Sequence, residues 1–408
     1  MKPSDIATGD ATPIQIPEAA ISFDNTEVAF ASKSKKDLRR AYLLFRIIGN
    51  RFLSTIGKHA TRLALALRLP ITPFVRATIY QQFVGGESIE KSKETSLMLR
   101  SHNIGTILDY SVEGKEAEAD FDRTRDEILR TVVAAGEEDY IPFSVFKTTG
   151  LSPNKLLAKV SKKQALSDKE AKAWERVQER VDSICRKGYE TGGRVFVDAE
   201  ESWIQDAIDN LARDMMRRYN RERCVVYNTL QMYRHDRMEH LNREVATAED
   251  EGYQYGVKLV RGAYMEKERD RAEEMGYPSP IQANKAATDA DFNKALIYCL
   301  DHLDRVSFCA GTHNEESSAL LAREMIDRGL DKDDPRVYSA QLFGMSDHIS
   351  FNLSSAGYNI AKYVPYGPVR EVMPYLIRRA EENTSVGGQT NRELSLIIRE
   401  LKRRKVVD

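Results

Sequence analysis

The stretch Val257-Lys258-Leu259-Val260-Arg261-Gly262-Ala263-Tyr264 decides how this chain is read. Its apolar residues run as in a parallel strand covered on both faces, and the two small residues after Arg261 let something large approach the backbone. Lys258 and Arg261 stand where the strand ends. In α/β proteins ligands bind at the carboxyl ends of parallel strands, so cation, open backbone and aromatic ring together mark the mouth of a site for a flat, anionic group. An ordinary strand followed by a turn, with Arg261 solvated, explains the octapeptide alone equally well, and its surroundings have to decide.

Working outward, eight short apolar runs, each rich in Val, Ile, Tyr, Phe or Cys, fall at 104–108, 141–146, 194–197, 224–230, 257–260, 306–310, 337–342 and 360–364. Between them lie amphipathic helical patterns at 113–135, 168–190, 203–219, 236–253, 284–303 and 315–328, with a poorer one at 346–356. Strand and helix alternating eight times predicts a (β/α)8 barrel. An open doubly wound sheet is the alternative. No two glycines of the chain stand two apart, so the GxGxxG fingerprint of a dinucleotide-binding unit is absent. After Pro365-Tyr366-Gly367-Pro368 a last helix is expected over 369–383. Residues 1–103 read as an N-terminal arm and helical extension packing on the barrel, and 104–408 as the barrel with its capping helix and a basic tail.

Composition bounds the function. With 61 Lys and Arg against 62 Asp and Glu in 408 residues, the formal net charge is -1, so no global field recruits nucleic acid and anion binding must be local. Cys185, Cys224, Cys299 and Cys309 form neither CxxC pairs nor a disulfide framework, which suits a reducing compartment. No apolar run reaches the roughly 18 residues of a membrane span, and residues 1–17 lack the features of a secretory signal or an Arg-rich presequence. A cytoplasmic protein, or one peripheral at a membrane, is expected. Arg46, Arg51, Lys58, Arg62 and Arg68 make the N-terminal helical region basic, either as a membrane- or partner-facing surface or as a solvated face packed on the body. Lys402-Arg403-Arg404-Lys405 reads as a solvated basic tail, a membrane patch being the rarer alternative.

The strand ends carry the chemistry. They present Lys147, Asp198, Gln231, the Arg261-to-Tyr264 run, Thr312-His313-Asn314, Leu342 and Tyr363 at one rim. On the last helix Arg378 and Arg379 point about 100° apart and reach one small anion only if that helix lies across the barrel mouth, with Tyr375 on the same face. Asp198 and Lys147 suit an ion pair that positions rather than reacts. His313 suits a hydrogen bond to a cofactor, or a general base. The seven histidines show no metal-ligand spacing and no EF-hand loop is present, so no metal is expected.

Together Val257 to Tyr264, Gly311-Thr312-His313-Asn314-Glu315-Glu316, Gln341-Leu342-Phe343-Gly344-Met345, Tyr363-Val364-Pro365-Tyr366-Gly367-Pro368-Val369 and Tyr375-Leu376-Ile377-Arg378-Arg379-Ala380-Glu381-Glu382-Asn383 resemble proline dehydrogenase, in the single-function form found in mitochondria. The resemblance runs from Ile141 to Arg404. It implies a distorted (βα)8 barrel with the last helix over its mouth, holding FAD non-covalently and oxidising L-proline to Δ1-pyrroline-5-carboxylate. Carried over by position, Arg378 and Arg379 hold the proline carboxylate beside Lys147, while Tyr264, Leu342, Tyr363 and Tyr375 wall the ring. Asp198 pairs with Lys147 near Tyr363, and Asp198 and Lys258 are the catalytic candidates. Gln231 and Lys258 lie along the flavin, Ala199 touches it, and Arg261, Gly262, Ala263, Thr312 and His313 hold the rest of FAD, with Glu382 behind.

Many bacterial relatives carry Arg at Lys258 and Lys at Arg261, which exchanges a planar fork for a point charge. The resemblance further implies a quinone acceptor, a separate pyrroline-5-carboxylate dehydrogenase for the product, no nucleic acid, and peripheral contact with the inner membrane, mitochondrial if a presequence precedes this sequence. No residue stands out as the base for the amine proton. Hydroxyproline oxidation, a folate-reductase-like flavin barrel and a non-catalytic proline-binding barrel remain as alternatives.

Overall fold

A computed structural model describes residues 21–48, 72–111, 117–385 and 387–406, with side chains apart from 48, 72, 74 and 380–390. Arg51, Lys58, Arg62 and Arg68 lie outside the described residues. The eight expected strands are β1 (Ile104–Tyr110), β2 (Phe143–Lys147), β3 (Val195–Asp198), β4 (Val226–Gln231), β5 (Tyr255–Val260), β6 (Val306–Gly311), β7 (Val337–Leu342) and β8 (Ile360–Tyr366). All pair in parallel and in chain order, and β8 closes on β1. Each strand buries both faces, which is why the runs are continuously apolar rather than alternating. Inside, Ile107, Phe143, Val145, Phe196, Tyr227, Cys309, Ala340 and Ala361 fill the barrel below its mouth. Phe143 and Phe196 stack at 4.2 Å, with Tyr227 edge-on to both. The barrel is therefore solid at its amino end, and chemistry is confined to the other.

The crossover helices Glu118–Glu137, Asp168–Thr191, Ser202–Tyr219, Arg237–Glu251, Lys285–Asp301, Glu315–Asp327 and Asp347–Ser355 follow the expected periodicity. Helices Ile89–Arg100, Asn154–Ser161 and Met265–Met275 were not legible in it. Most element ends shift by one or two residues, and two differences shape the mouth. Pro365 and Tyr366 belong to β8, because Pro365 needs only its carbonyl, which accepts from the Gly85 N–H at 2.8 Å. The helix expected over 369–383 runs Met373–Ser385, after a turn in which the Pro368 carbonyl accepts from the Glu371 and Val372 N–H groups.

The C-terminal segment departs most. Instead of trailing as a tail, it forms a helix, Gly387–Arg403, whose cations close its last turn. Arg403 and Arg404 donate to buried Glu400, and Arg404 also to the Lys33 and Phe30 carbonyls at 2.6 and 2.9 Å. Its Leu396, Ile397 and Leu401 pack with Phe30, Leu38, Phe45, Phe83, Val372, Tyr375 and Leu376 in a second apolar cluster beside the barrel mouth. The helix Lys35–Ile48 thus turns one face into the body, while its Leu43 and Ile47 remain exposed.

Candidate active site

At the centre of the mouth, Asp198 ends β3, and Lys258 and Tyr363 reach it from inside β5 and β8. Tyr363 lies three residues before the end of its strand rather than at the rim. Its hydroxyl donates to Asp198 Oδ1 at 2.8 Å, and the Lys258 ammonium donates to the Tyr363 oxygen at 2.9 Å and to Asp198 Oδ1. That ammonium also sits over the Tyr363 and Phe196 rings. Burial alone would raise the Asp198 carboxyl, but the Lys258 and Lys147 charges hold it below its ordinary value. Burial, reinforced by Asp198, pushes the Tyr363 phenol well up, so it stays a donor.

Lys147 ends β2 with Nζ 3.9 Å from Asp198 Oδ2 and 4.0 Å from Asp109 Oδ2. Asp198 is therefore shared, with Lys258 the tighter partner. Asp109, near the end of β1, escaped the sequence reading, although it directly follows the first apolar run. Ser111 fixes it with a 2.6 Å hydrogen bond.

Glu200, one residue past Ala199, was also missed. Its carboxylate accepts from the Thr149 N–H at 2.9 Å and from the Thr149 hydroxyl, which ties the loop after β2 to the loop after β3. Its own N–H and C=O are taken by Gln205 and Gln231, at 2.8 and 2.7 Å. Burial pushes this carboxyl up to about 7, against the Thr149 hydrogen bonds.

On the other side of the mouth, the Gln231 amide accepts from the Ala263 N–H at 3.3 Å, so β4 and the β5 loop share one polar hinge. Gly262 has φ of 134°, and a Cβ there would lie 2.6 Å from the Tyr233 ring, so only glycine leaves this exposed backbone open. Arg261 reaches Asp289 at 2.7 Å, Thr312 at 2.7 Å and Ser317 at 2.9 Å, with its guanidinium 4.3 Å over Phe292. It fastens the β5 loop to the β6 loop. Thr312 is buried, and its carbonyl accepts from Gln341. His313 follows, with Nδ1 2.9 Å from Ser346 Oγ. Half-buried Ala199 directly follows Asp198 at the end of β3. Donor side chains and side-chain-poor backbone fit a flat ring system with an anionic tail.

The helix Met373–Ser385 brings the paired arginines to this mouth. The Tyr264 phenol, raised well above its ordinary value by burial and by Glu200, is opposed by the nearby Lys147 and Arg378 cations. Burial, then the Lys362 and Arg379 cations, hold the His313 imidazole well below 6.5 and hence neutral. Arg378 thus bears on the β5 loop and Arg379 on the β6 loop. Arg379 is 8% exposed and lies 5.5 Å over the buried Tyr375 ring. Half-buried Leu342, at the end of β7, packs against the same cluster as Tyr375. The side chain of Glu382 lies outside the described residues.

The family model described as proline dehydrogenase matches residues 92–392. This chain belongs to the proline dehydrogenase family. As a member it is an enzyme acting on proline. Among proteins similar to it, the carbapenem antibiotics biosynthesis protein CarD of Pectobacterium carotovorum is 36% identical over 325 residues, covering 79% of this chain and 84% of CarD. Human mitochondrial proline dehydrogenase 1 is 44% identical over 232 residues, which cover 56% of this chain and 39% of the human protein. The Dictyostelium discoideum mitochondrial proline dehydrogenase 1 is 29% identical, over 93% of this chain and 74% of its own. The proline utilization A (PutA) structure from Bdellovibrio bacteriovorus shares the fold, with a TM-score of 0.70 at 20% identity, over 91% of this chain and 40% of that one.

Proposed function

We propose that this proline dehydrogenase oxidises L-proline to Δ1-pyrroline-5-carboxylate with non-covalent FAD, and passes the electrons to a quinone. The observation that carries the reading is the pairing of Arg378 and Arg379, on one helix over the mouth, with the Asp198–Lys258–Tyr363 triangle on its floor. Two guanidinium groups suit one small carboxylate, and the Tyr264, Leu342, Tyr363 and Tyr375 walls suit an apolar five-membered ring. Bound FAD would supply the two-electron acceptor for the hydride that leaves C5 of proline. Gln231, Arg261, Gly262, Ala263, Thr312 and His313 would hold it, with Ala199 and Lys258 against its ring.

The chain's own residues bind and orient. The arginines fix the carboxylate end, Lys147 stands beside the ring, and Tyr363, locked by Asp198 and Lys258, excludes water and bulk from one face. A fixed hydroxyl there crowds a 4-hydroxylated ring, which favours proline over hydroxyproline. The Lys258 charge favours electron density arriving beside it.

A quinone acceptor places the protein at an energy-transducing inner membrane, by peripheral contact. No helix among the described residues is long and apolar enough to cross a membrane. The exposed Leu43 and Ile47 beside Arg46 support such contact. The product goes to a separate aldehyde-oxidising dehydrogenase. Anaerobic titration of the FAD-loaded protein with proline tests the reading. Bleaching of the flavin band by proline, reversed by a soluble quinone, is expected. Protein that takes up no FAD, or that hydroxyproline bleaches faster, overturns it.

A further inference from the structure

Among the described residues, four that are not glycine have positive φ: Asn103, Lys163, Ser346 and Lys405. Three are exposed, where strain relaxes into solvent. Ser346 is 0% exposed, with φ 49° and ψ 41°, in the short connection between β7 and the helix Asp347–Ser355. A buried left-handed serine persists only where its surroundings over-determine it. It precedes that helix, yet its side chain makes no cap to it.

Its backbone and side chain face two different partners. The Ser346 N–H donates to the carboxylate of Glu393, which is buried on the C-terminal helix. The Ser346 carbonyl accepts from the Ser350 hydroxyl at 3.2 Å, and Ser350 also donates to Gln341 at 2.8 Å. Ser346 Oγ lies 2.9 Å from His313 Nδ1. The unusual backbone therefore aims a hydroxyl at one imidazole nitrogen of the β6 loop.

We infer that Ser346 is a positioning residue: its hydroxyl donates to His313 Nδ1 and so keeps the proton of the ring on Nε2, as a donor toward the anionic part of the cofactor. The inference rests on the FAD reading above. A neutral imidazole carries one N–H, and the group bonded to one nitrogen decides which nitrogen holds it. His313 lies among the charges of Lys362, Arg379 and Arg261, a setting for anions. An Nε2 lone pair facing an anion would repel it, whereas Nε2–H completes the cradle. Glu393 holds Ser346 in place and so links the C-terminal helix to the cofactor loop.

Ser346→Gly separates the role from stability, because glycine takes φ 49° without strain while losing the hydroxyl. Ser346→Ala loses the hydroxyl and keeps the strain. FAD affinity, followed by flavin fluorescence, should fall about tenfold in both variants. The thermal midpoint of the cofactor-free Gly variant should equal or exceed that of the parent. In 15N spectra of histidine-labelled protein, with His313 assigned through His313→Gln, the parent should show the Nε2–H form and both variants a mixture. FAD affinity within twofold of the parent in Ser346→Gly, or an unchanged imidazole signature, overturns the inference. If the parent takes up no FAD the proposed function fails, and the imidazole spectrum, which needs no cofactor, still decides the tautomer.

Discussion

Asp198 and Lys258 were legible as rim residues, but their mutual dependence was not, because a sequence does not say which charges are dry. Lys258 is 4% exposed and its ammonium has Asp198 as its ionic partner. Asp198→Ala should therefore cost about 3–5 kcal/mol, the penalty for stranding a buried cation. Urea unfolding measures it, and a loss under about 1 kcal/mol would mean that water rescues the lysine. Glu200 gives the opposite sign. Its carboxyl titrates at about 7 in the fold against 4.5 as a free side chain, so the native state binds the extra proton. The stabilisation is complete below pH 4.5 and is lost as pH rises through 7, an effect of roughly 3 kcal/mol. Guanidinium unfolding of the parent and of Glu200→Gln between pH 4 and 8.5 should show this slope only in the parent; parallel slopes would refute it. Glu200 and its partner Thr149 were hidden because neither falls at a strand end. Only burial, which no local pattern encodes, makes that carboxyl special.

At the scale of elements, the strands stood out because barrel staves are wet on neither side and read as uninterrupted apolar runs. The helix Gly387–Arg403 did not, because its buried residues alternate with cations and its partners Phe30, Leu38 and Phe45 lie at the other end of the chain. On the proposed function, that distant pairing supports the site, since Phe45 shares a cluster with Tyr375 and Leu376 of the helix carrying the paired arginines. Phe45 is 2% exposed and meets Phe83 edge-on at 6.3 Å. Phe45→Ala should lose about 3–5 kcal/mol. It should also raise KM for proline more than it lowers kcat, because the helix proposed to hold the substrate loses its support while the barrel floor is untouched. Leu43→Ala, at an outward position of the same helix, should stay within about 0.5 kcal/mol and leave KM alone. Equal effects from the two variants would disconnect this helix from the mouth.

Across the whole molecule, the buried thiols report how the closed barrel opens. The absence of paired cysteine motifs already argued against disulfides, and the fold keeps all four free. Cys185 lies in the helix Asp168–Thr191, Cys224 just before β4, Cys299 in the helix Lys285–Asp301 and Cys309 in β6 facing the lumen. Burial pushes Cys224 and Cys309 up to about 12 and the other two further. At pH 7.5 a thiol of that pKa is thiolate in only a few parts per hundred thousand, so a folded molecule should resist iodoacetamide at the fully buried Cys185, Cys299 and Cys309, whereas half-buried Cys224 serves as the accessible reference. Labelling then needs opening, and a barrel whose strands all pair through β8 to β1 has no free edge from which to peel. The three buried thiols should thus react at one common, slow rate that rises steeply with sub-denaturing urea, and all four should react at once in full denaturant. Mass spectrometry of timed samples checks this. If Cys309 labelled well before Cys185 and Cys299, the β6 side would be opening on its own, as a separate cooperative unit, and the closed sheet would not be what holds the molecule together.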